Sequence, residues 1–395
     1  MPWLETKAVN ERTRFVVGVR EQGLTVAEAC RRFGVSRTTG YKWLRRYDRD
    51  GFAALEDQSR APKTRPNETP PEVVERLLSV RREYGWGPKK IRGWLRLREP
   101  ELKLPAASTV GDILAKHGLV EPRSKRRRAP SLSSEPLAHA TAPNALWSTD
   151  FKGQFRLGNG RYCYPLTVTD NYSRFIVTCH GLDDTKAEGA KPAFERAFER
   201  YGVPEAIRSD NGAPFASTAP AGLTTLSVWW LKLGIRLERI EPGKPQQNGR
   251  HERMHLTLKR ETTRPAGADM AEQQKRFEFF VERFNQERPH EALGQKPPAT
   301  AYQPSTRTYD GKVSEPQYPN HDLVAEVRTN GCVSFAGDVV MVGKPLIGER
   351  VGLLELDDDC WLVSFCDVDL GFFRRGSRRL TTIEDRGRHW RTNRV

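Results

Sequence analysis

Apolar residues recur at helical spacing in three short segments between residues 10 and 47, and glycines separate these segments. We expect the second helix to begin at Thr25, because Glu28 follows three residues later and completes a capping box. Gly34 makes the next turn, and Ser36 is expected to cap the third helix. Two helices joined by a short glycine-containing turn have the spacing of a helix-turn-helix, so residues 1–50 are predicted to form such a domain.

The third helix, SRTTGYKWLRRY, is predicted to expose a polar face while Trp43 and Leu44 pack inward. In a helix-turn-helix the first residues of this helix reach base edges, and its basic residues bind phosphates. The alternative is an ordinary three-helix bundle with a solvated charged face. The candidate DNA-binding residues are Arg37, Thr38, Lys42, Arg45 and Arg46.

The helical pattern returns over 71–118, after a polar segment over 51–70 that is predicted to be a linker. We expect three helices here, with Ser108 as the cap of the third, and these form either a second helix-turn-helix or a purely structural bundle. Residues 119–140 are predicted to be a basic linker. Its run of Lys125, Arg126, Arg127 and Arg128 either grips phosphates or is a solvated tether.

Short β-rich stretches replace this pattern from residue 141 onward. Three strands followed by alternating helices and strands predict a mixed α/β sheet flanked by helices over 141–302. A polar linker is predicted over 303–330. Five short strands over 331–395 then predict a small all-β, SH3-like barrel with a basic tail. This barrel could grip DNA, contact a neighbouring subunit or be purely structural.

Charge separates the helical part from the rest of this 395-residue chain. Residues 1–140 hold 29 basic and 17 acidic side chains, whereas residues 141–395 hold 36 and 33. A basic block of this kind indicates a nucleic-acid partner. The six cysteines form no C-x-x-C pair, and neither a run of 18 apolar residues nor an apolar signal segment occurs. We therefore expect a protein of the cytoplasm, with no membrane partner and no structural zinc.

Three acidic residues stand where active sites collect in such folds. Asp150 lies within the first strand, Asp210 ends the fourth strand, and Glu252 lies on the helix after a loop rich in Gly, Pro and Gln. Carboxylates held together repel one another unless cations bind between them, and all-oxygen ligands favour Mg²⁺ or Mn²⁺. Taken singly, each acid could also be an ordinary surface carboxylate.

The sequence motifs around these acids make the interpretation more specific. W-S-T-D-F, R-S-D-N-G-x-P-F-A-S, P-Q-Q-N-G-x-x-E-R-x-H-x-x-L-K and F-N-x-E-R-P-H together resemble the integrase-type core of bacterial insertion-sequence transposases, relatives of retroviral integrases, over about 140–302. The resemblance implies a ribonuclease-H-like fold with a DDE triad of Asp150, Asp210 and Glu252, which would hold two Mg²⁺ or Mn²⁺ ions. The 41 residues between Asp210 and Glu252 are more than is typical of this family.

The resemblance also implies roles for neighbouring residues. Lys259 and Arg253 would contact DNA beside the chemistry, and His255 would touch either the scissile phosphate or a structural partner. Asp170 is more simply interpreted as a structural acid.

The resulting expectation is a transposase that binds the inverted-repeat ends of its element as a homo-multimer. It would cut DNA, and join the 3′-hydroxyl ends to target double-stranded DNA. The alternatives are a regulator whose core has lost its chemistry and a metal-dependent nuclease that cuts without joining.

Overall fold

The structure is a computed structural model, and it describes residues 8–57, 68–120, 140–241, 245–357 and 359–381. The chain divides into two compact units, residues 1–69 and 70–395. The basic run Lys125–Arg128 and the basic tail beyond residue 381 lie outside the described residues. None of the helices that the structure describes is long and apolar enough to cross a membrane.

The first unit contains three helices, α1 (Ala8–Arg20), α2 (Val26–Arg32) and α3 (Arg37–Asp50). Both expected caps form, since Thr25 and Glu28 make a reciprocal capping box and the Ser36 side chain accepts from the Thr39 backbone N–H.

The small core of this unit joins all three helices to a 3₁₀ turn at Phe52–Leu55. Leu55 is fully buried in that core. The linker predicted over 51–70 therefore does not begin at residue 51, because an apolar residue beyond α3 still has a place in the first core.

A second helical module opens the larger unit, with α4 (Pro71–Tyr84), α5 (Pro88–Arg98) and α6 (Ala107–Lys116). Leu77, Ile91 and Leu95 are fully buried between these helices, together with Val110. The expected Ser108 cap is wrong. Helix α6 already begins at Ala107, and no side chain among the described residues caps it.

The mixed sheet predicted over 141–302 is present. Its elements are β1 (Trp147–Phe151), β2 (Phe155–Arg156), β3 (Tyr162–Asp170), β4 (Ile176–Leu182), α7 (Ala187–Tyr201), β5 (Ala206–Ser209), α8 (Thr225–Lys232), β6 (Arg236–Arg239), α9 (Gly249–Thr262) and α10 (Met270–Gln286). The strand order is β4-β3-β1-β5-β6, and β2 pairs with the start of β3. Strands β5 and β6 run parallel to β1, whereas β3 is antiparallel to β1 and β4 is antiparallel to β3.

Alternation along β3 sends its side chains to two different helical layers. Leu166 and Val168 pack with the aromatic residues of α7 and α8 on one face. Cys163 faces the other way, into the cluster formed with α9 and α10. The same alternation places Thr167 and Thr169 on the α9 face, which is where the acidic site lies.

The C-terminal strands are β7 (Leu323–Glu326), β8 (Cys332–Phe335), β9 (Asp338–Met341), β10 (Arg350–Asp357), β11 (Cys360–Phe365) and β12 (Val368–Arg374). They form an antiparallel sheet of order β12-β11-β10-β7 and a separate β8-β9 hairpin. The five predicted strands are present, and β7 is an additional strand. A closed SH3-like barrel stays a prediction.

The segment 303–330 is not the free linker that its polar composition predicted. The backbone N–H of Ser305 donates to the Tyr201 carbonyl at 2.7 Å, and the Arg307 guanidinium donates to the Pro204 carbonyl at 2.7 Å. Tyr309 adds an edge contact to Phe198 at 5.8 Å between ring centroids. Backbone and side-chain donors here bind carbonyls of the core, so the segment is attached along its first residues, while β7 belongs to the C-terminal sheet.

Candidate active site

The first two acids lie side by side because their strands are parallel neighbours. Ser148 of β1 is paired with Arg208 of β5, and each acid lies two residues further along its own strand direction. Alternation therefore turns Asp150 and Asp210 to the same side of the sheet, on strands about 4.8 Å apart. Gly212 completes the turn after β5, where its N–H donates to the Asp210 carboxylate at 3.1 Å.

The third acid comes from the first turn of α9. Asn248 and Gly249 open this helix, and the Glu252 side chain is exposed. Two histidines of α9 attach the helix to the sheet. His251 and His255 each place Nε2 2.7 Å from the Thr167 hydroxyl, and Thr167 is the β3 residue directly opposite Asp150.

The charges of Asp210 and Glu252 act on Asp150. The pKa of Asp150 is raised from 3.8 to about 7. Burial is the largest cause, and the negative charges of Asp210 and then Glu252 act in the same direction. The Asp150 side chain is 24% exposed. A lone surface carboxylate would show neither effect, so that alternative does not apply to Asp150.

This donor set suits a hard divalent cation, because it offers only carboxylate oxygens and their mutual repulsion would be relieved by positive charge. Within the described ranges, however, no three Asp, Glu, His or Cys side chains are already drawn together into a metal cluster. Asp150, Asp210 and Glu252 thus have the chemistry for Mg²⁺ or Mn²⁺, and their positions do not fix a number of ions.

Sequence reasoning missed the hydrogen-bond network behind Asp150. The Thr167 hydroxyl also lies 3.0 Å from the Asp150 carbonyl, and His251 Nδ1 lies 2.9 Å from the Thr169 hydroxyl. His255 Nδ1 is 3.8 Å from the Asp150 carboxylate. His255 is only 7% exposed, and burial lowers its pKa to about 3. Of its two expected roles, the structural contact is the one observed. The i, i+4 spacing of the two histidines was the available signal.

Lys152 is a second residue that the sequence interpretation overlooked. It follows Asp150 by two positions, so strand alternation would have placed both on one side. Burial and then the charge of Lys259 lower the pKa of Lys152, while Asp150 opposes the shift. The charges of Lys259 and Asp150 thus both act on Lys152, and both lysines belong to the surroundings of the site.

Asp170, the fourth acid considered, has a structural role. It is 1% exposed and accepts hydrogen bonds from the Asn144 N–H at 2.8 Å and from the Ser173 N–H and hydroxyl at 2.7 and 2.6 Å. These bonds close the turn between β3 and β4. Its carboxylate oxygens are thus already engaged by protein donors and are shielded from a substrate or metal.

The candidate DNA-binding residues of the first unit lie on α3. Arg37, Thr38, Lys42 and Arg45 are exposed and Arg46 is half-buried. Lys42 and Arg46 lie over the Trp43 ring, at 5.3 and 4.9 Å from its centroid. Tyr41, which the sequence interpretation did not select, is 52% exposed on the same helix.

Comparisons with known proteins agree with this architecture. Residues 140–245 and 233–298 match families described as "Integrase core domain". Residues 11–63 match a "Helix-turn-helix domain", and residues 39–114 match a "Homeodomain-like domain". The chain therefore contains an integrase-type core preceded by helix-turn-helix and homeodomain-like regions.

Similar proteins include two from bacterial insertion elements. An uncharacterized 31.7 kDa protein of insertion element IS407 from Burkholderia multivorans is 31% identical over 46% of this chain and 64% of its own length. An uncharacterized 39.2 kDa protein of IS476 from Xanthomonas euvesicatoria is 31% identical over 44% of this chain and 49% of its own length. The chain thus spans less than two thirds of either relative. The predicted resemblance to insertion-sequence transposases with an integrase-type core is confirmed.

A solved structure with a partial likeness is that of the HTLV-2 integrase catalytic core domain in complex with magnesium. It is 15% identical, with a TM-score of 0.33, over 41% of this chain and 99% of that chain.

Proposed function

We propose that this chain is a DDE transposase that cuts DNA at the inverted-repeat ends of an insertion sequence and joins the 3′-hydroxyl ends to target DNA. The observation that carries the proposal is the position of Asp150 on β1 and Asp210 directly after its parallel neighbour β5. The charge of Asp210 and that of Glu252, in the first turn of α9, both act on Asp150. The integrase core domain and its insertion-element relatives support it.

In this proposal the three acids hold Mg²⁺ or Mn²⁺, two ions as the resemblance implies. When bound, such cations lower the pKa of an attacking water and stabilise the charge on the attacking and leaving oxygens of a phosphodiester. The chain's own contribution is position. Thr167 and His255 fix the strand and helix that carry Asp150 and Glu252, so the acids need little reorganisation when DNA arrives.

Two lysines beside the acids would supply fixed positive charge to the substrate. Lys259 is exposed on α9, seven residues after Glu252, and the charges of Lys259 and Asp150 both act on Lys152. Both ammonium groups can contact phosphate oxygens next to the scissile bond. Arg253 is exposed next to Glu252 and would bind the same backbone.

The helix-turn-helix unit would deliver the element's end. Arg37 and Thr38 stand in the first turn of α3, where such helices meet base edges. Lys42, Arg45 and Arg46 are placed one to two turns later for phosphate contacts. The run Lys125–Arg128 would add a sequence-independent grip. A homo-multimer that pairs two ends is part of this proposal, as is a bacterial cytoplasmic location at the nucleoid, where the DNA lies.

The C-terminal sheets would complete the predicted SH3-like barrel and contact DNA or a second subunit. They share one apolar core with α8, through Val228 and Leu231. A barrel in this position would move with the catalytic core and not as a separate module.

The experiment that tests the proposal supplies labelled end DNA, Mg²⁺ and a target plasmid to the full chain. The end sequence is taken from imperfect inverted repeats that should flank the gene, bounded by short direct repeats. Joined products would support a transposase. Cut ends without joined products would instead favour a metal-dependent nuclease, and end binding without either product would favour a regulator.

A further inference from the structure

The second helical module is docked on the catalytic core. At the start of α5, Lys89 Nζ lies 2.7 Å from a Glu291 carboxylate oxygen. One turn later, Gly93 approaches the core so closely that a Cβ at this position would lie 2.6 Å from the Gln295 Cβ. A glycine is therefore required here by the neighbouring backbone segment, and α5 is held against the loop that follows α10.

Further contacts extend this junction along α10 toward α4 and the end of α5. The Arg98 guanidinium lies 3.5 Å from the Glu287 carboxylate, and the Arg283 guanidinium lies 4.3 Å from the centroid of the Tyr84 ring. The module predicted to be tethered by a linker is thus placed in a defined position against the end of α10 and the loop that follows it.

Lys90, the residue after Lys89, is the next cation at this junction. In the part of the chain that the structure describes, its half-buried ammonium makes no hydrogen bond or ion pair. Burial and then the positive charge of Arg288 lower the pKa of Lys90 to about 8, and Arg253 acts in the same direction. The two nearby acids are already engaged, Glu261 with Arg288 at 2.8 Å and Glu291 with Lys89.

More positive charge surrounds the same place. Burial first, and then the charges of Lys90, Arg288 and Arg174, lower the pKa of His290 to about 3. The Nε2 atom of His290 is buried and has no hydrogen-bond partner among the described residues. Arg250 in turn lowers the pKa of Arg174, after burial. Lys90 at the start of α5, Arg174 after β3, and Arg250 and Arg253 at the start of α9 are therefore linked by the action of their charges on one another or on His290. Arg250 and Arg253 flank Glu252 in the sequence of α9.

Like charges packed together at a partly buried surface destabilise the protein unless an anion binds among them. We propose that Lys90, Arg174, Arg250 and Arg253 form a phosphate-binding cradle, which holds the backbone of double-stranded DNA between the catalytic acids and the second helical module. This inference rests on the proposed function, because two of these arginines flank Glu252. The docked module then fixes the path of the DNA toward the acids.

The cradle is tested by binding of the full chain to a mixed-sequence 40-base-pair duplex over a series of salt concentrations. The logarithm of the DNA-binding constant K falls linearly with the logarithm of the salt concentration. Removing one charge that binds a phosphate should make this negative slope less steep by about 0.9. We expect that reduction for Lys90→Gln and about twice that for Lys90→Gln combined with Arg253→Gln. Lys103→Gln is the matched control, since Lys103 is an exposed lysine of the same module outside the junction, and its slope should stay at the wild-type value.

A second measurement uses the unaltered protein and needs no variant to fold. Bound duplex should protect Lys90 from a lysine-modifying reagent while Lys103 remains reactive. A wild-type salt slope for Lys90→Gln, or equal protection of both lysines, would overturn the cradle. If the wild-type protein formed no joined products while the salt slopes and the lysine protection came out as expected, the proposed function would be overturned and the cradle would stand. The two failures are therefore distinguishable.

Discussion

Replacing Asp150 by Asn should stabilise the fold while it removes a proposed catalytic group. The pKa of Asp150 is raised from 3.8 to about 7 in the folded protein. Between these pH values the folded state binds more protons than the unfolded state, so the contribution of Asp150 to stability falls as the pH rises. At about 1.4 kcal/mol for each pH unit, the cost of the ionised side chain reaches up to about 4 kcal/mol above pH 7. Asn avoids this cost.

The assay is urea unfolding of both proteins in EDTA, at pH 4.5 and pH 8. We expect Asp150→Asn to be more stable by up to about 4 kcal/mol at pH 8 and by about 1 kcal/mol at pH 4.5. Mg²⁺ should stabilise the wild-type protein and narrow the difference. Asp183→Asn is the control, since this side chain is 64% exposed and makes a surface ion pair with Arg161. An equal difference at both pH values, or a less stable variant, would refute the electrostatic reasoning.

Three further outcomes are expected from the surroundings of the site. Asp170→Ala leaves three donors unsatisfied in a buried turn and should lower the free energy of unfolding in urea by about 3 kcal/mol or more. A variant with wild-type stability that had lost strand transfer would instead make Asp170 a catalytic residue. Thr167→Val should cost about 1–3 kcal/mol, whereas Thr167→Ser keeps the hydroxyl and should cost less, and equal losses would remove the network from the account. The pKa of His290 is about 3 in the folded protein and 6.5 in the unfolded chain, so the free energy of unfolding falls as the pH drops below 6.5. His290→Gln should make this fall less steep by up to about 1.4 kcal/mol per pH unit between pH 6 and 4. An unchanged dependence of unfolding free energy on pH would contradict this.

Local signals in the sequence were enough to predict the helices of both helical modules and the strands of the mixed sheet, and to select the three acids as candidates. Thr25 and Ser36 cap helices because a side-chain oxygen satisfies backbone donors only a few residues away. Asp150 and Asp210 are neighbours because β1 and β5 are parallel, and strand alternation is a period that sequence displays directly.

Contacts between distant segments were not visible in the same way. The segment 303–330 has the composition of a linker, yet the Arg307 side chain donates to the carbonyl of Pro204, 103 positions earlier. Lys90 became notable only when folding brought Arg288 to it. The Ser108 cap failed for a local reason, since α6 begins one residue earlier, at Ala107.

The central claim, that the three converging acids perform DNA strand transfer, is tested most directly by Asp210→Asn. The full-length variant and the Asp183→Asn control are each given labelled end DNA, Mg²⁺ and a target plasmid, and binding and joined products are both measured. We expect Asp210→Asn to bind the ends as the wild-type protein does and to form no joined product, while the control joins normally. Undiminished joining by Asp210→Asn would contradict the assignment of the triad.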